Sequence, residues 1–566
     1  MIYKHAITTL GLGLSLGSMA PHALAQQAPA QPGAGDVQRS VTPPLVPAQR
    51  ADQAPAVKVA PPAGDSAAQP GAPLTRIPVK SLRIVGATVV SEATLQALLS
   101  DVPGRSFTLA ELQHRIQRIG DYYQNMGYPV ARAVLPAQDI RDGVVEVLVL
   151  EGRIGMVSFE NQSLIDDAAL ARLFGAPPSG SVVSAPELER RLLLLGDTPG
   201  SSRAGAVLQP GSRTGETDVR VQVDGAERVV AQLDLDNHGN RYTGYWRVGA
   251  QAEINSPLGL GDRLQLRGMT TDEALRYLRL GYRIPVAQAG WTVGAAWSQV
   301  NYSLGREYAA LQARGWARTA SVDTSYALVR SAAHSLTASV GWDHKTFEDR
   351  IEVLTPASVT RKSSHLLGLS LNGFGSTAAH SYAYTGIWSH GQLKLPTAAQ
   401  ISADEAGPRT RGHFNKFVLT ANVTLPLQQG WSLYGSGYLQ QASRNLDASE
   451  KLSLGGANGV RAYPQGEATG DVGQLATFEL RYNPALSPMQ LAGFVDAGHV
   501  RFDRRGYGNA GPATRTLYAL GGSVTWAPRQ DVGLKLMLAH RLGPWAVQSE
   551  DRDSRLRLWL QGLWRF

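Results

Sequence analysis

From Val229 to the carboxyl terminus, apolar and polar residues alternate with a period of two. The last example is the segment at the carboxyl terminus. One face of this segment carries Leu556, Leu558, Leu560, Gly562, Trp564 and Phe566. Such strands suit a soluble sandwich, or a membrane barrel whose outer face meets lipid while the inner face meets water. With strands of about ten residues, residues 229–566 accommodate about sixteen strands, and joining both ends requires an even number.

Residues 1–25 have the pattern of a secretory signal peptide. An apolar stretch at residues 6–16 follows a basic start, and Ala23 and Ala25 are the small residues that signal peptidase requires, so we predict cleavage before Gln26. The chain is therefore exported. No segment has the roughly eighteen uninterrupted apolar residues of a spanning helix, and backbone groups must all be paired in hydrocarbon. We therefore predict a transmembrane antiparallel β-barrel.

The segment that follows the signal peptide, residues 26–75, contains ten prolines. Alanine and glutamine fill most of the remainder, so the segment has too few large apolar side chains to form a core. We interpret it as a flexible periplasmic tether with one short helix candidate at residues 35–41.

Residues 76–153 and 154–225 each follow the order strand, helix, helix, strand, strand. In the first segment, Thr108 and Glu111 form a capping box that begins a helix with apolar residues at helical spacing. The repetition predicts two small α+β modules. Neither contains a cluster of acids, histidines or a nucleophile, so packing without chemistry is the favoured interpretation.

Composition narrows the possible chemistry. The chain contains no cysteine, which excludes disulfides and thiolate ligands. The net charge of +8 comes from arginines spread singly through alternating segments, which favours a charged barrel lumen over a nucleic-acid surface. Metal-protease and Walker patterns are absent. We therefore predict no enzymatic activity, no metal and no cofactor.

Several motifs resemble the outer-membrane transporters of two-partner secretion, the haemolysin-activator type within the outer-membrane assembly-factor superfamily. The first module resembles the family's first polypeptide-transport-associated (POTRA) domain at residues 127–130, 135–140 and 150–154. The second resembles the next POTRA domain at residues 195–200 and 209–211, and the first barrel strands are similar at residues 236–239 and 255–262. The resemblance covers nearly all of the mature chain.

The most specific resemblance is to the loop that folds back into the barrel lumen in this family, expected here around residues 455–470. Its tip motif matches at Gly459, Val460, Arg461, Tyr463 and Gly466, and the companion strand motif matches at Gly493, Asp496 and Gly498. Ala462 stands where the family usually has glycine. The resemblance implies an ion pair between Arg461 and Asp496 that anchors the loop. Gly562, Trp564 and Phe566 also resemble the terminal signal of outer-membrane barrels.

The resemblance implies a translocator in the outer membrane of a Gram-negative bacterium, with its POTRA domains in the periplasm. It would move one large unfolded exoprotein to the cell surface, driven by the partner's folding rather than by ATP. Expected partners are that exoprotein, outer-membrane lipid and the barrel-assembly machinery that inserts the chain, which acts as a monomer without nucleic acid. The alternatives are an assembly factor for other membrane proteins, a solute channel and an outer-membrane hydrolase.

Overall fold

The computed structural model describes residues 31–42, 55–59, 75–287, 290–507 and 512–566. The predicted signal peptide, with Ala23 and Ala25, lies outside the described residues. Among the described residues, no helix has the length and hydropathy needed to cross a bilayer.

The described residues of the proline-rich segment form two short elements, α1 (Ala34–Val41) and β1 (Val57–Val59). The helix predicted at residues 35–41 is confirmed. The strand was not expected, because the proline content predicted an unstructured tether around that helix. It forms because another part of the chain offers it a sheet edge, which local composition does not reveal.

The first α+β module has the predicted order of elements, with two further short strands, because the predicted first strand is divided in two and another short strand lies between the helices. The elements are β2 (Ile77–Val79), β3 (Ser81–Val85), α2 (Glu92–Leu98), β4 (Arg105–Phe107), α3 (Leu109–Asn125), β5 (Arg132–Val134) and β6 (Val144–Leu150). The main sheet has the order β3-β6-β5, with β3 and β6 parallel. The capping box at α3 is present, since Thr108 accepts from the Glu111 amide and Glu111 accepts from the Thr108 amide.

The second module repeats this plan. Its elements are β7 (Arg153–Asn161), α4 (Asp167–Phe174), α5 (Ala185–Gly196), β8 (Ser201–Pro210) and β9 (Glu216–Gly225). The sheet has the order β1-β8-β9-β7, so the tether strand is its first member. Val130 of the first module packs against the core of the second, which joins the two modules through side chains as well as through the backbone.

Glu151 lies where the two modules join, inside one of the segments that resemble the family. Its carboxylate is buried and accepts hydrogen bonds from the Thr88 amide at 2.6 Å, the Val89 amide at 2.8 Å and the Tyr123 hydroxyl at 2.9 Å. The next residue, Gly152, has φ of +75°, which a side chain would strain. The motif is therefore explained by a buried carboxylate that fixes the start of one loop, followed by a turn that requires glycine.

The buried carboxylate of Glu151 predicts how the stability of the first module depends on pH. Burial alone would raise the pKa of its carboxyl, but hydrogen bonds from Thr88, Val89 and Tyr123 outweigh burial and hold this pKa below its ordinary value. The stabilisation is thus present above the ordinary glutamate pKa and is lost as the pH falls through the lowered value. We expect Glu151→Gln to destabilise the module by about 2 kcal/mol at neutral pH and to flatten this acid dependence. Amide hydrogen exchange at Thr88 and Val89 in the full chain, corrected for intrinsic rates, measures both effects; an unchanged pH dependence in the variant would contradict the assignment.

The remainder of the chain forms a closed antiparallel barrel of sixteen strands, which confirms the predicted fold. The strands are β10 (Val229–Asp236), β11 (Arg247–Asn255), β12 (Arg263–Thr271), β13 (Arg276–Pro285), β14 (Trp291–Ser303), β15 (Ala313–Arg330), β16 (His334–Ile351), β17 (Ser358–Ser376), β18 (Ser381–Lys394), β19 (Gly412–Pro426), β20 (Trp431–Ala442), β23 (Val472–Tyr482), β24 (Met489–Arg501), β25 (Thr514–Arg529), β26 (Val532–Leu542) and β27 (Leu556–Arg565). Between them lie helix α6 (Ala398–Ala406) and the short strands β21 (Leu452–Ser453) and β22 (Thr469–Gly470).

The terminal strand closes the barrel. β27 pairs antiparallel with β10, with Gln232 opposite Arg565 and Asp236 opposite Gln561. Trp564 is 51% exposed and Phe566 58% exposed on the outer surface, whereas Trp559, on the opposite face, is 1% exposed. The alternation read from the sequence therefore separates an apolar outer face from an inner face that contacts other parts of the chain.

A loop and a helix inside the barrel

The segment between β20 and β23 folds back into the barrel, as the resemblance implied. Leu454, Val460, Ala462 and Tyr463 have no exposed surface, and they pack against inward-facing residues of β24 and β25 such as Leu517. β21 and β22 pair with each other at the base of this loop. We call residues 443–471 the lumen loop.

Arg461 at the tip of the lumen loop is held by two carboxylates. Its Nη2 lies 2.7 Å from Asp496 Oδ1 and its Nε lies 2.9 Å from Oδ2, while its Nη1 lies 2.7 Å from Glu479 Oε1. The Arg461 amide also donates to Asp496, at 3.1 Å. The side chains of Arg461 and Asp496 are 5% and 0% exposed, so this is a buried, bidentate pair with additional hydrogen bonds.

Three residues that the sequence reasoning missed complete this anchor. Glu479 on β23 is the second carboxylate, and the Arg461 guanidinium lies 3.3 Å from the centre of the Phe494 ring. Trp559 on β27 donates from Nε1 to the Arg461 carbonyl at 2.7 Å. The only sequence signal for Trp559 was an aromatic residue on the polar face of the closing strand, where lipid contact cannot explain it.

The glycines of the two motifs differ in what they do. A Cβ at Gly498 would lie 3.0 Å from Leu454 Cδ2 and Val460 Cγ2, so this glycine makes room for the loop. A Cβ at Gly459 would collide with the Leu454 carbonyl, and Gly466 has φ of +90°. A Cβ at Gly493 would meet no atom within 4 Å. Ala462, in the usual glycine position, does not have positive φ, so its methyl group imposes no backbone strain.

A second anchor holds the descending limb of the lumen loop. Glu467 is 1% exposed, and its Oε1 lies 2.5 Å from Nη1 of Arg515 on β25. The same carboxylate accepts from the Gln548 amide at 3.0 Å and the Ser549 amide at 2.9 Å. The loop is therefore tied both to the barrel wall and to the segment that connects β26 with β27.

The ascending limb is tied to the opposite part of the wall by lysines. Glu450 lies 2.5 Å from both Lys345 Nζ on β16 and Lys416 Nζ on β19. Asp447 lies 2.5 Å from Lys362 Nζ on β17. Both carboxylates are buried. The lumen loop thus spans the interior from one group of strands to another through charged contacts.

Helix α1 lies beside this limb, inside the barrel. Ala34 and Val37 are 0% and 1% exposed and pack with inward-facing residues such as Tyr302 and Phe347. The Ala34 amide donates to Asp349 Oδ1 at 2.7 Å. Arg39 donates to the carbonyl of Ala448 in the lumen loop. The helix and the loop therefore form one packed unit, which we call the lumen gate (residues 33–42 and 443–471).

At the other end of the barrel, the second module is seated on the strand turns. Arg330 at the end of β15 forms a bidentate pair with Asp197, at 2.7 and 2.9 Å. The Asp166 amide donates to the Gly259 carbonyl at 2.8 Å, and Leu260 packs against the module's core. Residues 195–200 and 255–262, which resembled the family as separate motifs, therefore lie on the two sides of one contact.

A sixteen-stranded barrel with a loop anchored in its lumen and two α+β modules in front defines the class of outer-membrane transporters that carry POTRA domains. The family model described as "Haemolysin secretion/activation protein ShlB/FhaC/HecB" matches residues 215–524, and the model of the ShlB-type POTRA domain matches residues 77–152. The chain belongs to the ShlB/FhaC/HecB family of two-partner secretion transporters. It is an outer-membrane protein whose POTRA domains lie in the periplasm.

Curated relatives and solved structures agree with this assignment. The heme/hemopexin transporter protein HuxB of Haemophilus influenzae is 25% identical over 82% of this chain and 83% of its own length. The outer membrane transporter CdiB of Dickeya dadantii is 24% identical over 75% of this chain and 76% of its own length. The structure of CdiB from Escherichia coli matches with a TM-score of 0.67 and 19% identity, covering 89% of this chain and 93% of that one. The last match concerns the fold alone.

Proposed function

We propose that this chain binds one large unfolded exoprotein through its POTRA domains and moves it through the barrel to the cell surface. The observation that carries the proposal is the lumen gate, a loop and helix held inside a closed barrel by buried ion pairs together with two separate apolar clusters. Charged contacts to a water-facing wall can be exchanged for water when the gate moves, whereas a barrel filled with apolar side chains would have to lose its core. The domain boundaries proposed are 76–153 and 154–225 for the POTRA domains and 229–566 for the barrel.

Docking of the partner by strand addition requires an accessible sheet edge. The candidate edges are residues 79–84, 130–135 and 204–208, which lie on strands of the two modules. In the structure, β3 and β5 are the outer strands of the first module's sheet, which supports the first two candidates. The third candidate lies on β8, whose edge is occupied by the tether strand β1.

Opening the conduit requires the lumen gate to move. The helix α1 and the lumen loop both contact β16 and contact each other through Arg39 and Ala448, so displacement of one removes part of the support of the other. We propose that folding of the partner outside the cell draws the chain outward, and that ATP and cofactors play no part. The transporter acts as a monomer, inserted by the barrel-assembly machinery.

Deletion of residues 76–225 tests the docking role. With an exported partner co-expressed, we expect the deletion to reduce full-length partner in the medium by at least about tenfold, because the unfolded partner loses its binding edges. Deletion of α6 is the matched control, because this helix lies in a connection between β18 and β19, away from the POTRA domains. Heat-modifiable electrophoretic mobility verifies that the barrel is folded in each variant. Equal release with and without residues 76–225 would refute docking by the POTRA domains.

A further inference from the structure

The tether strand β1 runs parallel to β8 at the edge of the second POTRA sheet. Val57 is paired with Ala206, Lys58 with Val207, and Val59 with Leu208. The Ala206 amide donates to the Ala56 carbonyl at 3.0 Å. A segment outside the module thus supplies the pairing that an added strand from another chain would supply.

β1 covers only a small part of the β8 edge. β8 has ten residues, and β1 pairs with three of them. Val57 packs against the module's core, but Lys58 is exposed and Val59 is 51% exposed. Among the described parts of the chain, no other strand pairs with this edge of β8. A longer extended segment would gain more main-chain hydrogen bonds than it displaces, and it would still use the groove that accepts Val57.

We propose that the β8 edge is a docking edge for an extended segment of the secreted partner, and that β1 is an internal stand-in which this segment displaces. This inference rests on the proposed function, since it requires the POTRA domains to bind an unfolded partner. The segment that fits runs parallel to β8, carries an apolar side chain where Val57 packs, and carries polar side chains at the alternate positions that face solvent.

Displacement of β1 also affects the lumen gate, because the tether connects β1 with α1. Twelve residues connect Thr42, at the end of α1, with Pro55, next to β1. This connection reaches about 45 Å at most when fully extended, so the position of β1 limits how far α1 can travel. Release of β1 lengthens the connection, because β2 then becomes the next fixed element, and this links arrival of the partner at the POTRA domain to greater freedom of the helix in the barrel.

A substitution at Gly205 on β8 distinguishes strand addition at this edge from binding of the partner elsewhere on the protein. A Cβ at Gly205 would lie 3.0 Å from the Ala56 carbonyl oxygen, so a side chain there crowds a paired strand, and a branched side chain such as valine weakens the pairing. Val57→Asp, in contrast, weakens only the internal stand-in, because Val57 belongs to the tether. Lys58→Asp is the matched control, since it introduces the same residue at the neighbouring position, which faces solvent.

The experiment uses the full chain in detergent and a fluorescent, end-blocked peptide of eight alternating valines and lysines, with a proline-containing peptide as the non-pairing control. We expect Val57→Asp to bind the peptide about tenfold more tightly than the unaltered protein, because a competitor that occupies the edge nine-tenths of the time weakens apparent affinity tenfold. Lys58→Asp is expected to change affinity less than threefold. Gly205→Val, added to Val57→Asp, is expected to weaken binding at least tenfold.

A crosslink provides the converse test, because the chain has no native cysteine. Oxidised Lys58→Cys/Val207→Cys should fail to bind the peptide, and reduction should restore binding. Equal affinity of the oxidised and reduced forms, or binding that is indifferent to both Val57→Asp and Gly205→Val, would overturn the assignment. The assay does not involve secretion, so its failure leaves the proposed function standing, while loss of the docking role upon deletion of residues 76–225 is measured separately.

Discussion

Replacing Arg461 with alanine is expected to reduce secretion of the partner at least tenfold while the barrel stays folded in the membrane. The variant leaves Asp496 and Glu479 buried without their cation, and breaking a buried pair in this way costs about 3–5 kcal/mol. Such a cost falls on the docked position of the loop, since neither carboxylate is needed for strand pairing. The conduit would then contain a loop without a defined position, which opposes passage of an extended chain.

The controls for this prediction come from the same wall. Arg481 also pairs with Glu479, at 2.7 Å, but it lies on β23 and does not belong to the loop, so Arg481→Ala should retain most secretion. Arg461→Lys retains the charge but cannot reproduce the bidentate contact, so it should fall between the two. The measurement is full-length partner in medium and cells, with heat-modifiable mobility as the fold control. Normal secretion by Arg461→Ala would defeat the loop-anchor role.

The barrel was predictable because one physical constraint repeats in every strand. Lipid outside and water inside impose a period of two, so Leu534, Leu536 and Leu538 could be assigned to one face without knowledge of their neighbours. The structure agrees, since these three side chains are 41–50% exposed while Met537 between them is 3% exposed. The order of elements in the POTRA domains followed in the same way from local periodicity and capping.

The lumen gate was less predictable because its contacts join distant parts of the chain. The pair of Arg461 with Asp496 was expected only through resemblance, and Glu479 looked like any polar residue on an inward face. Trp559 is 98 residues from the carbonyl to which it donates. Likewise, Val57–Val59 form a strand only because β8 offers an edge. Neither the hydrogen bond of Trp559 nor the pairing of β1 with β8 produces a periodic pattern in the sequence.

Helix α1 gives the second large effect, since weakening its seat is expected to open the barrel to solutes. A Cβ at Gly35 would lie 2.9 Å from the Ser449 backbone nitrogen and 3.1 Å from Asp447 Oδ1, so even a methyl group forces the helix away from the loop. We expect Gly35→Val to raise single-channel conductance and the uptake of a large antibiotic several-fold, and deletion of residues 32–42 to raise both about tenfold.

Gly35→Ala separates packing from helix propensity in this prediction. Alanine favours an isolated helix by about 1 kcal/mol over glycine. If the stability of the helix itself determined how firmly α1 stays in the barrel, Gly35→Ala would hold α1 more firmly and conductance would fall. If the close approach of Gly35 to Ser449 determines it instead, the added methyl group would weaken the packing of α1 and conductance would rise, which is the result we expect. Ser40→Ala is the matched control, because its hydroxyl bonds within the helix, to the Val37 carbonyl at 2.8 Å, and should leave conductance unchanged. If deletion of residues 32–42 left conductance at the level of the unaltered protein, α1 would not be an obstruction, and the lumen loop alone would close the barrel.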